Sequence, residues 1–503
     1  SEASIPDGNL IIHGDNLLAL KALLPRYAGR VNCIYIDPPY NTGNDTWVYK
    51  DNVNSPLLQE WLSQNSEVDG EDLERHEKWL CMMWPRLQLL KDLLAEDGVI
   101  FVSIDDNEQH RLRAVMDEVF GELNCVTNVV WEKKYSPQND AKWFSDNHDF
   151  VVCYASDKTS WQPSLLPRSE KQNARYTNRD NDPRGPWKSS GLDVKTYLAE
   201  NDYPITTPSG RIVNPPTGRC WVVSKERLQE LISDNRIWFG KDGSNVPSIK
   251  RFLADVKDGV TPLTVWRYDD VGHNQSGTQE LRRMGLEFPN PKPHTLLKRI
   301  LHLGTQQDAI VLDSFAGGGT TGHATLALNR EDGGNRRFIL VECEDYADTI
   351  TAERVRRVIK GVPDAKDEAL REGLGGSFTY CTLGEPIDSE QMLSGEALPS
   401  YVDLASHLLH TAVGKSVAGG IPQPADGDPF HADEETDYYL LYRPDADWLR
   451  GPDSMFTTAF ADRITQRERP AVVFAAGKYM SQRDLTPRKI TFCQLPYELH
   501  RSG

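Results

Sequence analysis

Two short stretches have the residue types and spacing to do chemistry. Asp37-Pro38-Pro39-Tyr40 closes the apolar run Cys33-Ile34-Tyr35-Ile36, and Phe315-Ala316-Gly317-Gly318-Gly319-Thr320 closes Ile310-Val311-Leu312. Each reads as a buried strand that ends in a functional turn. In the first, Pro38 and Pro39 fix φ and remove two backbone donors, so the turn is rigid and presents carbonyl oxygens. An amino group on an aromatic ring offers two N–H donors. The Asp37 carboxylate can accept one and the Pro38 carbonyl the other, while Tyr40 stacks on the ring. Held in this way, the amine directs its lone pair at an electrophilic carbon, a reaction that needs positioning more than acid or base strength.

The second stretch suits a nucleoside-containing ligand. Gly317, Gly319 and Gly322 satisfy G-x-G-x-x-G between a strand and a helix, where missing side chains let the backbone approach a ligand closely. Glu342, ending the next strand in Leu340-Val341-Glu342, is placed to accept two ribose hydroxyls. Taken alone, these features would also serve a dinucleotide-dependent dehydrogenase, but that enzyme would leave Asp37 to Tyr40 without a role.

The tetrapeptide precedes the glycine loop, and in this order the chain resembles the β-group of amino-methylating DNA methyltransferases. Within that group Asp37-Pro38-Pro39-Tyr40-Asn41-Thr42-Gly43-Asn44-Asp45 is similar to the modification subunits of type III restriction systems. The similarity continues through Gly98-Val99-Ile100-Phe101-Val102-Ser103-Ile104-Asp105-Asp106-Asn107-Glu108 and Phe288-Pro289-Asn290-Pro291-Lys292-Pro293, and returns at Gln494-Leu495-Pro496-Tyr497-Glu498.

The resemblance implies an α/β fold: a permuted doubly wound, Rossmann-like methyltransferase sheet with an inserted target-recognition domain and a C-terminal α+β region. It implies S-adenosyl-L-methionine as cofactor and double-stranded DNA as substrate, with the target base rotated out of the duplex. A homodimer and a restriction (nuclease or translocase) subunit are the implied protein partners. Asp37, Pro38, Pro39 and Tyr40 would be catalytic. Asp313, Phe315, Ala316, Gly317, Gly319, Thr320 and Glu342 would hold the cofactor, with the helix start at Thr320 and Thr321 facing its carboxylate. Lys292 would add a further wall to the pocket, and Asp15, in His13-Gly14-Asp15-Asn16, a contact to the adenine. Asp15 fits equally well as a helix N-cap, and Lys292 as a surface lysine. Aspartate at the first tetrapeptide position favours adenine N6 over cytosine N4. Carbon-5 cytosine chemistry would need a Pro-Cys turn, and none of the eight cysteines follows a proline. A catalytically silent DNA-specificity subunit is the alternative from another class, which the intact Asp37, Pro38, Tyr40 and glycine loop oppose.

The elements that must position these residues show a βαβ rhythm, which implies a parallel sheet covered by helices on both faces. Strands are expected at Asn9 to Ile12, Val31 to Ile36, Val99 to Ile104, Val126 to Trp131, Phe150 to Tyr154, Ala309 to Asp313 and Phe338 to Val341. Helices are expected at Asn16 to Leu24, Leu73 to Ala95, Arg111 to Phe120, Thr295 to Leu303, Thr321 to Leu328 and Asp348 to Ile359. Residues 1–155 and 291–362 thus form the catalytic and cofactor halves of one domain, 156–290 an insertion, and 363–503 an appended region with strands near 435–442 and 488–495 and a helix from Thr457 to Gln466.

Net charge is −18 over 503 residues, which disfavours phosphate binding by the chain as a whole. The charge is uneven. Residues 151–290 carry 20 Lys and Arg against 17 Asp and Glu, and 361–503 carry 13 against 22. The insertion is therefore the expected DNA face, through Arg168, Lys171, Arg175, Arg179, Arg184, Lys188, Arg211, Arg219, Lys250, Arg251 and Arg267, with Trp161, Trp187, Trp221, Trp238 and Trp266 anchoring its core. The acidic C-terminal region suits protein contact. Scattered cysteines without a C-x-x-C pair argue against zinc and for a reducing, cytoplasmic setting, the first residues do not resemble a signal peptide, and no apolar run approaches a membrane span.

Overall fold

The computed structural model describes residues 8–42, 70–139, 141–256, 259–384, 398–413, 421–425 and 427–495, apart from the side chains of 70–74 and 171. Trp47 and Tyr49, expected in a loop over the base, and Pro496-Tyr497-Glu498 lie outside the described residues. The chain forms two compact units, Ser1–Ser164 with Leu263–Gly503, and Leu165–Pro262.

The first unit is built on a nine-stranded sheet. Its strands in chain order are β1 (Leu10–His13), β2 (Val31–Ile36), β3 (Leu94–Ile104), β4 (Cys125–Glu132), β5 (His148–Ala155), β6 (Val265–Trp266), β7 (Ile310–Asp313), β8 (Arg337–Glu342) and β9 (Thr379–Thr382). Across the sheet they run β6-β4-β5-β3-β2-β7-β8-β1-β9. The helices that matter for the site are α1 (Asn16–Tyr27), α2 (Gly70–Leu93), α3 (Gln109–Phe120), α4 (Asn274–Arg283), α5 (His294–Gly304), α6 (Thr320–Asp332) and α7 (Glu353–Lys360).

Alternation along the strands sends successive side chains to opposite faces. Ile12, Ile34, Ile36 and Ile339 pack with Leu20 and Leu23 of α1, Met83 and Leu87 of α2 and Met116 of α3. Ile11, Phe338 and Leu340 pack on the other face with Leu281 of α4, Leu326 of α6 and Val355 and Val358 of α7. Both faces are thus covered, as strands composed almost wholly of apolar residues require.

The sheet is not wholly parallel, contrary to the βαβ expectation. β5 runs antiparallel to both β3 and β4. The reason is its connection: residues 133–147 join β4 to β5 without a crossover helix, so the chain reverses beside itself. Two further differences concern boundaries. β6 pairs with β4 in parallel, through Val265↔Val130 and Trp266↔Trp131, and β9 pairs with β1, through Leu10↔Thr379 and Ile11↔Tyr380. Residues 263–290 and 379–382 therefore belong to the first unit, as do Trp161, Trp266 and Arg267. At the C-terminal end, Asp437–Leu441, Ala471–Ala475 and Ile490–Gln494 form parallel neighbours in a smaller sheet, the middle strand being one that sequence patterning did not single out.

The second unit has a core of Leu192, Trp221, Leu228, Ile237 and Ile249 among others. Lys250, read from sequence as a phosphate contact, is buried within it. Its ammonium pairs with Asp180 and, at 3.3 Å, with Asp182, and stands 5.3 Å from the centre of the Trp187 ring and 5.9 Å from that of Trp238. Arg184, which bonds Asp182 through two nitrogens at 2.9 Å, holds that carboxyl far below the usual range. Arg184 and Arg219 are likewise engaged, the latter with Asp193 at 2.6 Å. Removing one member of a buried charge set leaves the others unpaired. Lys250→Met should therefore lower the unfolding free energy by about 3 kcal/mol, read from denaturant melts; a change within experimental error would show that the cluster does not stabilise this unit.

Candidate active site

β2 and β7 are adjacent and parallel, with Cys33 opposite Val311 and Ile34 opposite Leu312. β7 pairs with β8 on its other side, with Asp313 opposite Leu340. Three neighbouring strands therefore end at one edge of the sheet and release Asp37, Ser314 and Cys343 side by side. In a doubly wound sheet this carboxyl edge is where ligands bind.

The turn after β2 is held from below. Trp79 of α2 donates its indole N–H to the Pro39 carbonyl at 2.7 Å. Asn41 adopts φ +57°, a conformation that asparagine tolerates better than most residues, and its amide bonds Glu108 at 2.5 Å. Glu108 is fully buried and also pairs with His76. The Gly98 to Glu108 stretch thus has a physical function: it ends the neighbouring strand and supplies the anchor for the tetrapeptide.

The glycine loop is tied just as closely. Gly317 donates to the Glu342 carboxylate at 2.7 Å, and Cys343 and Glu344 donate to its other oxygen at 2.9 and 3.1 Å. Thr351 donates to the Gly317 carbonyl at 2.5 Å, and Arg354 reaches Thr320 Oγ1 at 2.7 Å. Gly319 has φ +74°, and a Cβ there would lie 2.7 Å from the Thr351 carbonyl oxygen. No other residue fits that position without displacing backbone.

Asp37, Pro38, Pro39, Tyr40, Lys292, Asp313, Phe315, Ala316, Gly317, Thr320 and Glu342 all line one cavity of about 550 Å³, with Phe288, Tyr346 and others. Gly319 shapes the loop without lining the cavity, and Asp15 does not line it either. Asp15 caps α1, accepting from the amides of Leu17 at 2.9 Å and Leu18 at 3.1 Å. Its neighbour Asn16 is buried and braces the start of the glycine loop, donating to the Ser314 carbonyl at 2.9 Å while accepting from Arg86 at 2.6 Å.

Lys292 lines the cavity as expected, and its contact with Asp37 is the unforeseen part. Its ammonium bonds the two Asp37 oxygens at 2.8 and 2.6 Å and stands 5.0 Å from the centre of the Tyr40 ring. Burial pushes the Tyr40 hydroxyl well above its ordinary pKa, and Asp37 adds to the effect, so this group stays protonated. Burial also raises Glu342 despite three backbone N–H bonds, and drives Asp313 up to about 7 even though Thr321 and the Phe315 amide bond its carboxylate.

Behind the loop, Glu280, His294 and His323 bring ligand atoms within 4.8 Å of one another. Arg354 lies among them, 3.2 Å from both Glu280 and His323 Nδ1, so the cluster is an ion-pair hub with its charge already balanced. Although burial opposes it, His294, His323 and Arg354 hold Glu280 well below the usual carboxylate range. Nothing in the local sequence marks Glu280, Thr351 or Arg354, because each is a polar residue within an ordinary helical pattern.

A strand-end D-P-P-Y turn and a glycine loop sharing one cavity are features of an enzyme that acts on an amine beside a nucleoside cofactor, and sequence comparison agrees. The family described as DNA methylase matches residues 31–353, and the chain belongs to it. It is similar to the Mod subunit of the type III restriction-modification enzyme StyLTI from Salmonella typhimurium, with 34% identity over 432 residues covering 80% of this chain and 64% of that one. It is similar also to the EcoPI Mod subunit of Escherichia phage P1, with 30% identity covering 77% and 67%, and to the type II methyltransferase M.KpnI of Klebsiella pneumoniae, with 28% identity covering 65% and 79%. The chain thus spans about two thirds of the length of these Mod subunits.

Asp313 gives the site a pH signature. Its folded-state pKa near 7 lies above its ordinary 3.8. Between those values the unfolded chain loses the proton while the folded chain keeps it, so this group weakens the fold as pH rises from about 4 to about 7. Asp313→Asn removes that slope. The variant should gain up to roughly 4 kcal/mol on the wild type across this window, and any constant offset from altered hydrogen bonds leaves the slope untouched. Denaturant melts at several pH values giving parallel profiles for the two proteins would exclude it.

Proposed function

We propose that this chain is a site-specific DNA methyltransferase that transfers a methyl group from S-adenosyl-L-methionine to adenine N6 in double-stranded DNA. The single observation that carries the reading is the shared cavity, in which the D-P-P-Y turn and the glycine loop face one space. The lining suits this cofactor in particular. It holds Asp37, Asp313, Glu342 and Glu344 against Lys292, a carboxylate-rich surface that favours a sulfonium and an ammonium and would repel a pyrophosphate. Gly319 lets the loop pack directly on the Thr351 backbone, which holds Gly317 and Gly318 at the cavity wall.

When bound, the cofactor supplies an electrophilic methyl carbon. The rest is done by this chain. Glu342 has about one acceptor position left over for a ribose hydroxyl, since a carboxylate offers about four and three are used. Tyr40 stacks on the flipped base, and Asp37 with the Pro38 carbonyl orients its amine. The amine nitrogen, held by Asp37 and the Pro38 carbonyl, would direct its lone pair at the methyl carbon that the cofactor would supply, with the thioether as the leaving group. One N–H proton passes to the Asp37 carboxylate and on to water.

The unit Leu165–Pro262 is assigned to target recognition, through its exposed Arg175, Arg179, Lys188, Arg211 and Arg251. Aspartate at position 37 supports adenine over cytosine. The similarity to Mod subunits of type III restriction-modification enzymes supports a restriction subunit as partner; a homodimer is proposed alongside it.

Incubation with tritium-labelled cofactor and amplified, hence unmethylated, genomic DNA should label DNA at N6-methyladenine. Asp37→Ala should reduce kcat by about a thousandfold with cofactor affinity retained. Label recovered in N4-methylcytosine would correct the base, and near-normal turnover of the variant would remove the amine clamp. Light scattering at micromolar concentration should give twice the 56.7 kDa chain mass; a monomer mass would count against the dimer.

A further inference from the structure

We propose that Lys292 is a positioning residue for catalysis, acting through Asp37, and that its service to the cofactor pocket is secondary. The inference rests on the methyltransferase reading above. Lys292 is the one cation among the described residues that line the cavity, where Asp37, Asp313, Glu342 and Glu344 supply four acidic groups. Its ammonium goes to the acid that belongs to the tetrapeptide, and contacts both of its oxygens.

Two physical requirements explain that choice. The first is charge. As a carboxylate Asp37 presents acceptors alone to an amine N–H, whereas a protonated carboxyl would give up acceptor capacity and add a competing donor. Neighbouring acids in a buried cavity push one another toward the neutral form, as Asp313 illustrates, with Asp37 and Glu342 both contributing to its rise. A lysine at 2.6 Å places a positive charge directly against the carboxylate of the tetrapeptide.

The second requirement is aim. A carboxylate offers about four acceptor positions, and Lys292 occupies one on each oxygen. The positions left over remain open to the amine, so the base enters without expelling the lysine, and the carboxylate plane is fixed before it arrives. The lysine can hold that plane because its own backbone is pinned. Its carbonyl accepts from Thr320 Oγ1 at 3.4 Å, and Gly277 of α4 packs so tightly beneath that a Cβ would sit 2.4 Å from the Pro291 carbonyl oxygen. Lys292 thereby joins the two halves of the site, with its main chain on the cofactor loop and its side chain on the catalytic turn.

The test compares Lys292→Met and Lys292→Arg with the wild type, using labelled cofactor, amplified genomic DNA and separate equilibrium measurement of cofactor binding. Lys292→Met should lower kcat by about a hundredfold while the cofactor Kd stays within about twofold, and Lys292→Arg should recover at least tenfold of that loss, since its cation can still grip a carboxylate through two nitrogens. A Kd raised tenfold or more with unchanged kcat at saturation would make Lys292 a pocket wall and overturn the proposal. Equal loss of cofactor binding in both variants would overturn it too, by making the residue a support of the fold. A wild-type protein that binds cofactor but labels no DNA would instead sink the methyltransferase reading, and this role with it.

Discussion

The pairing of Val31–Ile36 with Ile310–Asp313 is the constraint on which the site depends. Only because these strands are parallel neighbours do the rigid proline turn and the glycine loop open onto one cavity. On the proposed reading neither turn carries the chemistry alone, since one presents acceptors to an amine and the other brings backbone close to a nucleoside. The strand that follows, ending in Glu342, completes the row on the next register.

Around that edge the molecule spends buried charge freely. Glu108 anchors Asn41, Arg86 of α2 holds Asn16 at the start of α1, and Arg354 connects Glu280 with Thr320. Such groups are costly to desolvate and are weak contributors to stability when judged against apolar replacements. Their position explains them better. Each ties a loop at the carboxyl edge to a helix behind it, so the reacting geometry is fixed before any ligand enters, which is where electrostatic catalysis gains its advantage.

How much of this was legible in the sequence follows from how local each signal is. The tetrapeptide, the glycine loop and Glu342 could be read because strand, turn and helix start are contiguous in the chain. Asp15 was ambiguous for the same reason in reverse: its capping bonds run to residues two and three positions on, and nothing nearby distinguishes them from a ligand contact. The direction of β5 was invisible because alternation reports burial and not polarity of the chain. Lys250 was misjudged because its partners Asp180 and Asp182 lie about 70 residues away. Lys292 was found through its motif but not its task, since its partner Asp37 is 255 positions distant.

The central pairing also bears on when the protein can become competent. Asn32 and Ile310, which hydrogen-bond at 2.9 Å beside β2 and β7, are separated by 278 positions. Closing so long a loop is slow, and no shorter contact can substitute for it. During synthesis the N-terminal strands must wait beside a vacant slot in the sheet until the ribosome has delivered the stretch through Glu342. A nascent or truncated chain that ends before Glu342 therefore lacks the strand pairings that set the tetrapeptide beside the glycine loop, and the shared cavity cannot form until that stretch has been made.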